Sequence, residues 1–234
     1  MANYRYRFSF GNESAPIIKK LLIVMGAVFF LQLLLEQAGS DRMMVNVLGL
    51  VPYLVWHKFF LWQLVTYIFL HGDFSHILFN LLALWMFGGE LEGYWGAKKF
   101  LMYFFFCGIG AAICTTVFTV LLTSPLSQII PVIGSSGAIY GILLAYGWLF
   151  PNRPIMLYFI VPIPAKYFVI IFGFLEFLYL SRGSGGGISH LTHLGGLLFG
   201  LIYMAYPVIR QKIRREIYRR KWSQRGPGSG NYYH

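Results

Sequence analysis

The chain has 234 residues and a formal net charge of +11, with 57% hydrophobic, 19% aromatic and 12% charged residues. Its mean hydropathy of +0.62 excludes an ordinary soluble domain and a disordered chain, and 26 glycines without a triplet period exclude a collagen-like one. This composition is typical of a protein embedded in a lipid bilayer.

A membrane-spanning helix needs about 20 mostly apolar residues, because it crosses about 30 Å of hydrocarbon with its backbone polar groups paired internally. The first such segment covers residues 17–35. We interpret it as a retained helix and not a removable signal peptide, because Glu36 stands where cleavage after Ala38 would need a small residue. Residues 1–16 are expected to form a cytoplasmic N-terminal segment.

The next segment, residues 41–73, has a different character. Gly49, Pro52 and Gly72 interrupt it. It is crowded with aromatic side chains, namely Tyr53, Trp56, Phe59, Phe60, Trp62, Tyr67 and Phe69. Aromatic side chains are enriched where lipid meets water. The sequence therefore predicts a long aromatic first loop that lies in the membrane interface and does not span the bilayer.

Five further helices are predicted after this loop. Pro125 and Pro131 divide the long uncharged run of residues 100–152 into two of them. A short apolar stretch, residues 155–164, contains two prolines and is expected at the surface, and residues 183–187 should form a flexible loop. The five helices are expected at residues 75–92, 100–123, 136 to about 150, 167 to about 181, and 189–208.

The predicted fold class is an all-α integral membrane protein, a bundle of six transmembrane helices with the long aromatic interfacial first loop. The bundle is expected to form one domain over residues 17–208. Residues 209–234 follow as a basic cytoplasmic tail, and its last part, residues 226–234, is expected to be disordered because it is rich in Gly and polar residues.

Basic residues predict the orientation and one class of partner. With the N-terminus placed in the cytoplasm, only Arg42, Lys58 and Arg182 of the 19 Lys and Arg residues fall outside, as the positive-inside rule requires. Eight basic residues lie between positions 210 and 225, directly after the last apolar segment. The expected partners are therefore anionic membrane lipids and not nucleic acid. Both termini should be cytoplasmic, and the compact chain suggests a bacterial inner membrane.

Polar side chains gather at the outer ends of three predicted helices. Such side chains are costly in a bilayer and usually mark function. A hydroxyl, imidazoles and an amide at similar depth supply the nucleophile, base and oxyanion donor that acyl transfer needs. The second helix contributes His71, His76 and Asn80, the fourth Ser135 and Ser136, and the sixth His190 and His193.

Local spacing supports a meeting of Ser136 and His193. Ser136 lies at a helix start, where unpaired backbone N–H groups and the positive end of the helix dipole favour an oxyanion. Small residues four apart let two helices approach closely. Such pairs are Gly137 with Gly141, beside Ser136, and Gly196 with Gly200, after His193.

These residues resemble the motifs of the rhomboid intramembrane serine proteases. The resemblance covers about residues 17–208. Gly134-Ser135-Ser136-Gly137 looks like the Gly-x-Ser-Gly motif of that family, and the segment from His76 to Asn80 looks like its His-x-x-x-Asn motif. The final-helix motif is matched by His193, Gly196 and Gly200.

The resemblance implies that Ser136 is the nucleophile and His193 the general base, a pair with no acidic third member. It implies oxyanion contacts from His76 and Asn80 beside the Ser136 backbone N–H. Substrates would be single-span membrane proteins, cut near the extracytoplasmic end of their transmembrane segment, and no cofactor is implied. Supporting positions are Tyr140, stacked against the His193 ring, Gly134 and Gly137.

The residues also leave alternatives open. Ser135 is the nearest rival nucleophile, although it would not share a helix face with Tyr140. A catalytically silent rhomboid-like protein that binds transmembrane helices is the main functional alternative, and the presence of both Ser136 and His193 argues against it. No metal is expected, although a site could form from the four histidines His71, His76, His190 and His193.

Two residues have no assigned role at this stage. Many rhomboid proteases carry Trp-Arg in the first loop, whereas this chain has Trp62-Gln63. The sequence therefore does not show which side chain holds that loop in place. Glu176 lies inside the fifth apolar helix, where it could pair within the bundle or extend outward to water.

The fifth helix is also predicted to act as a gate for substrate. Its phenylalanines, Phe172, Phe174 and Phe177, are expected to pack against the second helix around Trp85 and Phe87. Opening of this contact would let a substrate helix enter from the lipid.

Overall fold

The computed structural model describes residues 15–39, 41–157, 160–182 and 187–224. Most of these residues are helical, as predicted. Two shorter apolar helices have 14 and 17 residues, so the count of six membrane spans stays a prediction. Among the described residues, four helices are long and apolar enough to cross a membrane, namely Pro16–Gln37, Phe74–Trp95, Ala97–Leu122 and Ile188–Arg220.

The helices follow the predicted apolar segments, with shorter helices in the first loop. A π-helical segment, Leu84–Gly88, joins α5 and α6 into one continuous helix, and a 3-10 turn, Tyr67–Phe69, follows α4. In chain order the helices are α1 (Pro16–Gln37), α2 (Asp41–Leu48), α3 (Pro52–Lys58), α4 (Gln63–Thr66), α5 (Phe74–Ala83), α6 (Gly89–Trp95), α7 (Ala97–Leu122), α8 (Pro125–Gln128), α9 (Ser136–Leu149), α10 (Ala165–Ser181) and α11 (Gly187–Gln224).

One small β-hairpin, which the sequence did not predict, lies between α9 and α10 in this mostly helical protein. Strands β1 (Pro154–Leu157) and β2 (Val161–Pro164) form an antiparallel pair in which Pro154 lies opposite Pro164. Proline is tolerated here because each strand of a two-stranded ribbon has a free edge that needs no N–H donor. Val161 is exposed as expected for a surface segment, whereas Ile155 packs into the core.

Helix α11 is longer than predicted. It continues through Pro207 to Gln224, whereas the sequence predicts an end at Val208. The Arg, Lys, Gln and Ile residues that follow are good or adequate helix formers, so the basic tail extends the helix. At about 1.5 Å per residue its 38 residues reach about 57 Å, well beyond the hydrocarbon thickness. The predictions for residues 1–14, 183–186 and 226–234 lie outside the described residues.

Gln63, which stands where many rhomboid proteases carry arginine, braces the first loop. Its side chain is fully buried. The amide oxygen accepts the Val51 backbone N–H over 3.0 Å, and the amide nitrogen donates to the carbonyl oxygens of Asn46 and Val47 over 3.1 and 3.2 Å. Trp62 adds a bond from its indole N–H to the Val47 carbonyl over 2.9 Å. A neutral amide therefore ties α4 to the start of the loop.

The N-terminus of α1 is held by a carboxylate of α6. Ala15 has no side chain that could cap the helix, and Pro16 has no N–H. The next two backbone N–H groups, of Ile17 and Ile18, each donate over 2.9 Å to one oxygen of Glu92, which is buried. A carboxylate at a helix N-terminus also interacts favourably with the helix dipole. This contact fixes α1 against the rest of the bundle.

Helices α9 and α11 approach each other backbone to backbone, as the glycine spacing predicts. A Cβ added to Gly196 would lie 1.8 Å from the Gly137 carbonyl oxygen, and one added to Gly200 would lie 3.1 Å from Gly141 Cα. A Cβ on Gly137 would lie 2.8 Å from Ala111 Cβ of α7. The contact between these helices therefore leaves no room for larger side chains.

The predicted packing of the fifth helix is wrong for two of its phenylalanines. Phe174 and Phe177 are 58% and 57% exposed. Phe168 makes the contact with the second helix instead, because its ring lies 6.5 Å from the Phe87 ring and stacks on Phe172 at 4.3 Å. The sequence does not predict which face of α10 points toward the second helix, because all faces of this helix are apolar.

Gly196→Ala should destabilise the protein, because its new methyl group would overlap the α9 backbone. We expect a loss of about 1–3 kcal/mol in the free energy of unfolding, as for other overpacked cores. Gly26→Ala is the matched control, since a Cβ there meets nothing within 4 Å and alanine favours a helix over glycine. Thermal unfolding in detergent measures both, and equal melting temperatures would contradict the close contact.

Candidate active site

Ser136 and His193 meet where α9 begins and α11 is in its second turn. Ser136 Oγ lies 2.8 Å from His193 Nε2. The glycine contact explains the distance, because Gly137 directly follows Ser136 and Gly196 lies three residues after His193. Both side chains are partly exposed, so another molecule can reach them. This geometry suits a nucleophile and its base.

Tyr140 holds the plane of the His193 ring. The two rings stack with centroids 4.4 Å apart and planes inclined by 14°. Tyr140 lies one helical turn after Ser136 on the same face of α9. The ring of His193 is therefore contacted by two residues of α9, one along its edge and one across its face.

A carboxylate lies on the other side of the same imidazole. Glu176 Oε1 of α10 is 3.0 Å from His193 Nδ1, although the two atoms are not aligned as a hydrogen bond. The Tyr140 hydroxyl donates to Oε1, and His190 Nδ1 lies 2.5 Å from Oε2. The resemblance implies no acidic third member, whereas this structure has a carboxylate where one would stand. The one sequence signal was a glutamate inside an apolar helix.

Gly134 lets the His76 ring lie close against the backbone beside Ser136. Its φ of +121° is a backbone conformation that residues with a Cβ rarely adopt. A Cβ there would lie only 2.7 Å from His76 Nε2 and 3.7 Å from Ser136 Oγ, so the His76 ring occupies the room that a side chain would need. His76 Nδ1 accepts the Gly72 backbone N–H over 3.3 Å. The neutral ring therefore carries its proton on Nε2, the nitrogen that lies against Gly134.

Asn80 contacts the neighbour of Ser136 and not Ser136 itself. Its Oδ1 accepts from Ser135 Oγ over 3.1 Å, and its Nδ2 donates to the His76 carbonyl oxygen over 2.7 Å. An amide nitrogen carries two protons, so one N–H remains after this bond. Asn80 can therefore serve as a donor near the site while Ser135 fixes its orientation.

The rival pair, Ser135 and His71, is placed less favourably for chemistry. His71 Nε2 lies 3.4 Å from Ser135 Oγ, and both side chains are almost completely buried. Gln32 of α1 holds the His71 backbone through its amide, accepting from the N–H over 3.0 Å and donating to the carbonyl over 3.1 Å. Burial, reinforced by the nearby His76, lowers the pKa of His71 to about 4. His71 is therefore neutral at physiological pH.

The four histidines do not form one cluster. His71 and His76 lie beside each other, with ring centroids 5.1 Å apart, and His190 and His193 form a separate pair at 6.3 Å. Within the described residues, a different set brings three possible metal ligands within 4.8 Å of one another, namely Glu176, His190 and His193.

Comparison with known proteins decides the family. A family model described as the Rhomboid domain matches residues 58–210. The chain belongs to the rhomboid family. It is thus an integral membrane protein, in agreement with its long apolar helices.

Several relatives of this rhomboid protein are named proteases. The chain is 32% identical to the putative rhomboid protease YdcA of Bacillus subtilis over 156 residues, which are 66% of this chain and 70% of YdcA. It is 25% identical to the rhomboid protease GlpG of Yersinia pestis over 214 residues, 90% of this chain and 69% of GlpG. The match to Rhomboid protein 1, mitochondrial, of Saccharomyces cerevisiae is 31% identical over 63% of this chain and covers less than half, 43%, of that protein.

The free energy of unfolding should decrease as the pH is lowered through the range in which His71 titrates. Its pKa is about 4 in the folded protein and about 6.5 unfolded, so the unfolded state binds more protons between these values. The contribution of His71 to the free energy of unfolding is fully present above about pH 6.5. It decreases by about 3 kcal/mol as the pH falls toward 4. Thermal unfolding from pH 7 to pH 4 should show a steeper decline than in His71→Gln. If the melting temperatures of the wild type and His71→Gln decline in parallel with pH, the burial of a neutral His71 ring would be contradicted.

Proposed function

We propose that this rhomboid-family protein is an intramembrane serine endopeptidase. The observation that carries the proposal is the 2.8 Å contact between Ser136 Oγ and His193 Nε2. The partly exposed position of both side chains and the protease names of several relatives support it. Ser136 is assigned as the nucleophile and His193 as the general base.

The reaction begins with proton transfer between these two residues. His193 Nε2 accepts the proton of Ser136 Oγ as this oxygen attacks the carbonyl carbon of the scissile peptide. The carbonyl oxygen becomes an oxyanion, and the protonated imidazole then gives its proton to the leaving amine. Water attacks the resulting acyl ester with His193 again as base, which releases the second product and restores Ser136.

The oxyanion is stabilised by donors close to Gly134 and Ser136. The backbone N–H of Ser136 belongs to the first turn of α9 and has no partner within the helix. His76 Nε2 lies against Gly134 near Ser136 Oγ, and the second N–H of Asn80 is available nearby. Donors fixed in place before the reaction stabilise the developing charge more than mobile water does.

The six-helix bundle remains part of this proposal, with α9 as its central member. Its 14 residues reach about 21 Å, well short of the hydrocarbon thickness. Most residues of α9 are buried among α7, α10 and α11, so this helix does not need to present a full-length apolar surface to lipid. A short central helix would place Ser136 at its N-terminus below the membrane surface.

The distribution of charge supports a site near the extracytoplasmic face. The Ser136 end of α9 lies opposite the end where Arg153 pairs with Glu90, which the positive-inside rule assigns to the cytoplasm. The substrates proposed are single-span membrane proteins, cut near the outer end of their transmembrane segment. The basic residues of α11 after Val208 would meet anionic lipids, and the proposed location is a bacterial inner membrane with both termini cytoplasmic.

Cleavage should depend on Ser136 and His193 as a unit. Ser136→Ala and His193→Ala should each lower kcat by at least about a thousandfold, and the double variant should be no slower, because residues that act together are not additive. Ser135→Ala is the matched control and should lose less than about tenfold, as expected for one neutral hydrogen bond. Purified protein in detergent with a single-span substrate provides the assay.

Two outcomes would overturn this assignment. If Ser136→Ala still cuts while Ser135→Ala does not, the rival serine is the nucleophile. If the wild-type protein binds the single-span substrate but does not cleave it, the protein is a catalytically silent binder of transmembrane helices.

Asn80→Ala should slow turnover without stopping it. The loss of one oxyanion donor costs about 3 kcal/mol, or about a hundredfold in kcat, while the other donors remain. KM should change little, because the interaction forms only as charge develops on the oxygen. Steady-state kinetics separates the two parameters. A raised KM with unchanged kcat would make Asn80 a ground-state contact and contradict its role.

A further inference from the structure

We propose that Glu176 is a positioning residue that holds the His193 ring for proton transfer, so that Ser136 and His193 work with a carboxylate as their third member. This inference rests on the proposed protease function.

Glu176 lies at the centre of a hydrogen-bonded cluster built from three helices. The side chain is buried, with 8% of the residue exposed, in the middle of an apolar helix. Tyr140 of α9 donates its hydroxyl proton to Oε1, and His190 of α11 lies 2.5 Å from Oε2. Oε1 also lies 3.0 Å from His193 Nδ1. An ionised carboxylate has lone pairs for all three donors.

The carboxylate selects the tautomer of His193 that the reaction needs. An ionised carboxylate can only accept hydrogen bonds, so it favours a proton on the facing Nδ1. In the neutral ring, Nε2 then has its lone pair free toward Ser136 Oγ, 2.8 Å away. When Nε2 takes the serine proton, the positive charge forms 3.0 Å from a negative one. Glu176 stays ionised throughout and exchanges no proton.

Tyr140 links the carboxylate to the ring that it is proposed to position. Its ring stacks on His193, and its hydroxyl bonds to Glu176, so one side chain contacts both partners. The present Nδ1 contact is close but not aligned. Catalytic hydrogen bonds are often poorly aligned without substrate and tighten only when substrate is bound.

The distances favour shared protons over a bound metal. Two ligands of one tetrahedral zinc ion, each about 2.0 Å from it, lie about 3.3 Å apart. His190 Nδ1 and Glu176 Oε2 are only 2.5 Å apart, too close for two ligands of one such ion and short even for a charge-assisted hydrogen bond. A chelator in all assays keeps the cluster free of metal during the test.

Within the part of the chain that the structure describes, four titratable groups face His193 from the surrounding helices. Of these, the carboxylate of Glu176 is the one that can carry a negative charge at neutral pH. Its removal should make the protonated His193 less stable, so that activity persists to lower pH. The four are His76 of α5, Tyr140 of α9, Glu176 of α10 and His190 of α11.

The test compares Glu176→Gln, which keeps the shape but loses the charge, with Glu176→Asp, which keeps the charge. Glu176→Gln should lower kcat on the order of a hundredfold with KM nearly unchanged. Loss of the acid from a triad costs more, about ten-thousandfold, but here Tyr140 still holds the ring. The acid limb of the kcat/KM profile should move down by roughly one pH unit. Glu176→Asp should keep this limb in place and recover part of kcat.

The outcomes separate this inference from the proposed function. If Ser136→Ala abolishes cleavage but Glu176→Gln keeps kcat and the acid limb, the positioning role is overturned and the protease stands. If Glu176→Gln lowers kcat together with thermal stability, with the limb unmoved and no rescue by aspartate, Glu176 is structural and the inference also fails. If Ser136→Ala itself still cuts, the proposed function fails first.

A measurement on the wild-type chain tests the inference even if the Glu176 variants do not fold. ¹⁵N-histidine NMR in detergent, assigned with His193→Ala, reports which ring nitrogen carries the proton. At neutral pH, His193 should be protonated on Nδ1. A neutral ring with its proton on Nε2 would overturn the inference, because that nitrogen could not accept the proton of Ser136.

Discussion

The site depends on two helices that touch without side chains between them. A Cβ on Gly196 would fall 1.8 Å from the Gly137 carbonyl oxygen, so this contact exists only because position 196 is glycine. Helices in a bilayer gain little from the hydrophobic effect on association, and close backbone packing replaces it. Because Ser136 and His193 lie next to these glycines along the chain, the same contact brings their side chains to 2.8 Å.

Several buried polar groups in this apolar protein have their partners in another part of the chain. Glu92 of α6 receives the first backbone N–H groups of α1, and Gln63 receives and donates bonds across the first loop. Glu176 receives donors from α9 and α11. A charge or amide without such partners would be costly in a bilayer, so these contacts fix how the helices sit against one another. Stability and the geometry of the site thus arise from the same contacts.

The sequence predicts the helices and the central pair because both depend on local patterns. Long apolar runs have one structural solution in a bilayer, and the glycine spacing indicates where two of them meet. The surroundings of Glu176 could not be predicted, because its partners lie 14 to 36 positions away with no local signal. The hairpin of β1 and β2 was missed because prolines normally weigh against strands. The sequence predicts too short an α11, because the basic residues after Val208 indicate the end of the apolar segment but not the end of the helix.

The proposed function requires that one serine, Ser136, is activated by His193. A fluorophosphonate reagent that forms a covalent bond with activated serines tests this requirement directly, with the modified residue located by mass spectrometry of the intact wild-type chain. We expect an adduct on Ser136 that forms far more slowly in His193→Ala. An adduct on Ser135 instead, or equal labelling of Ser136 in both proteins, would contradict it.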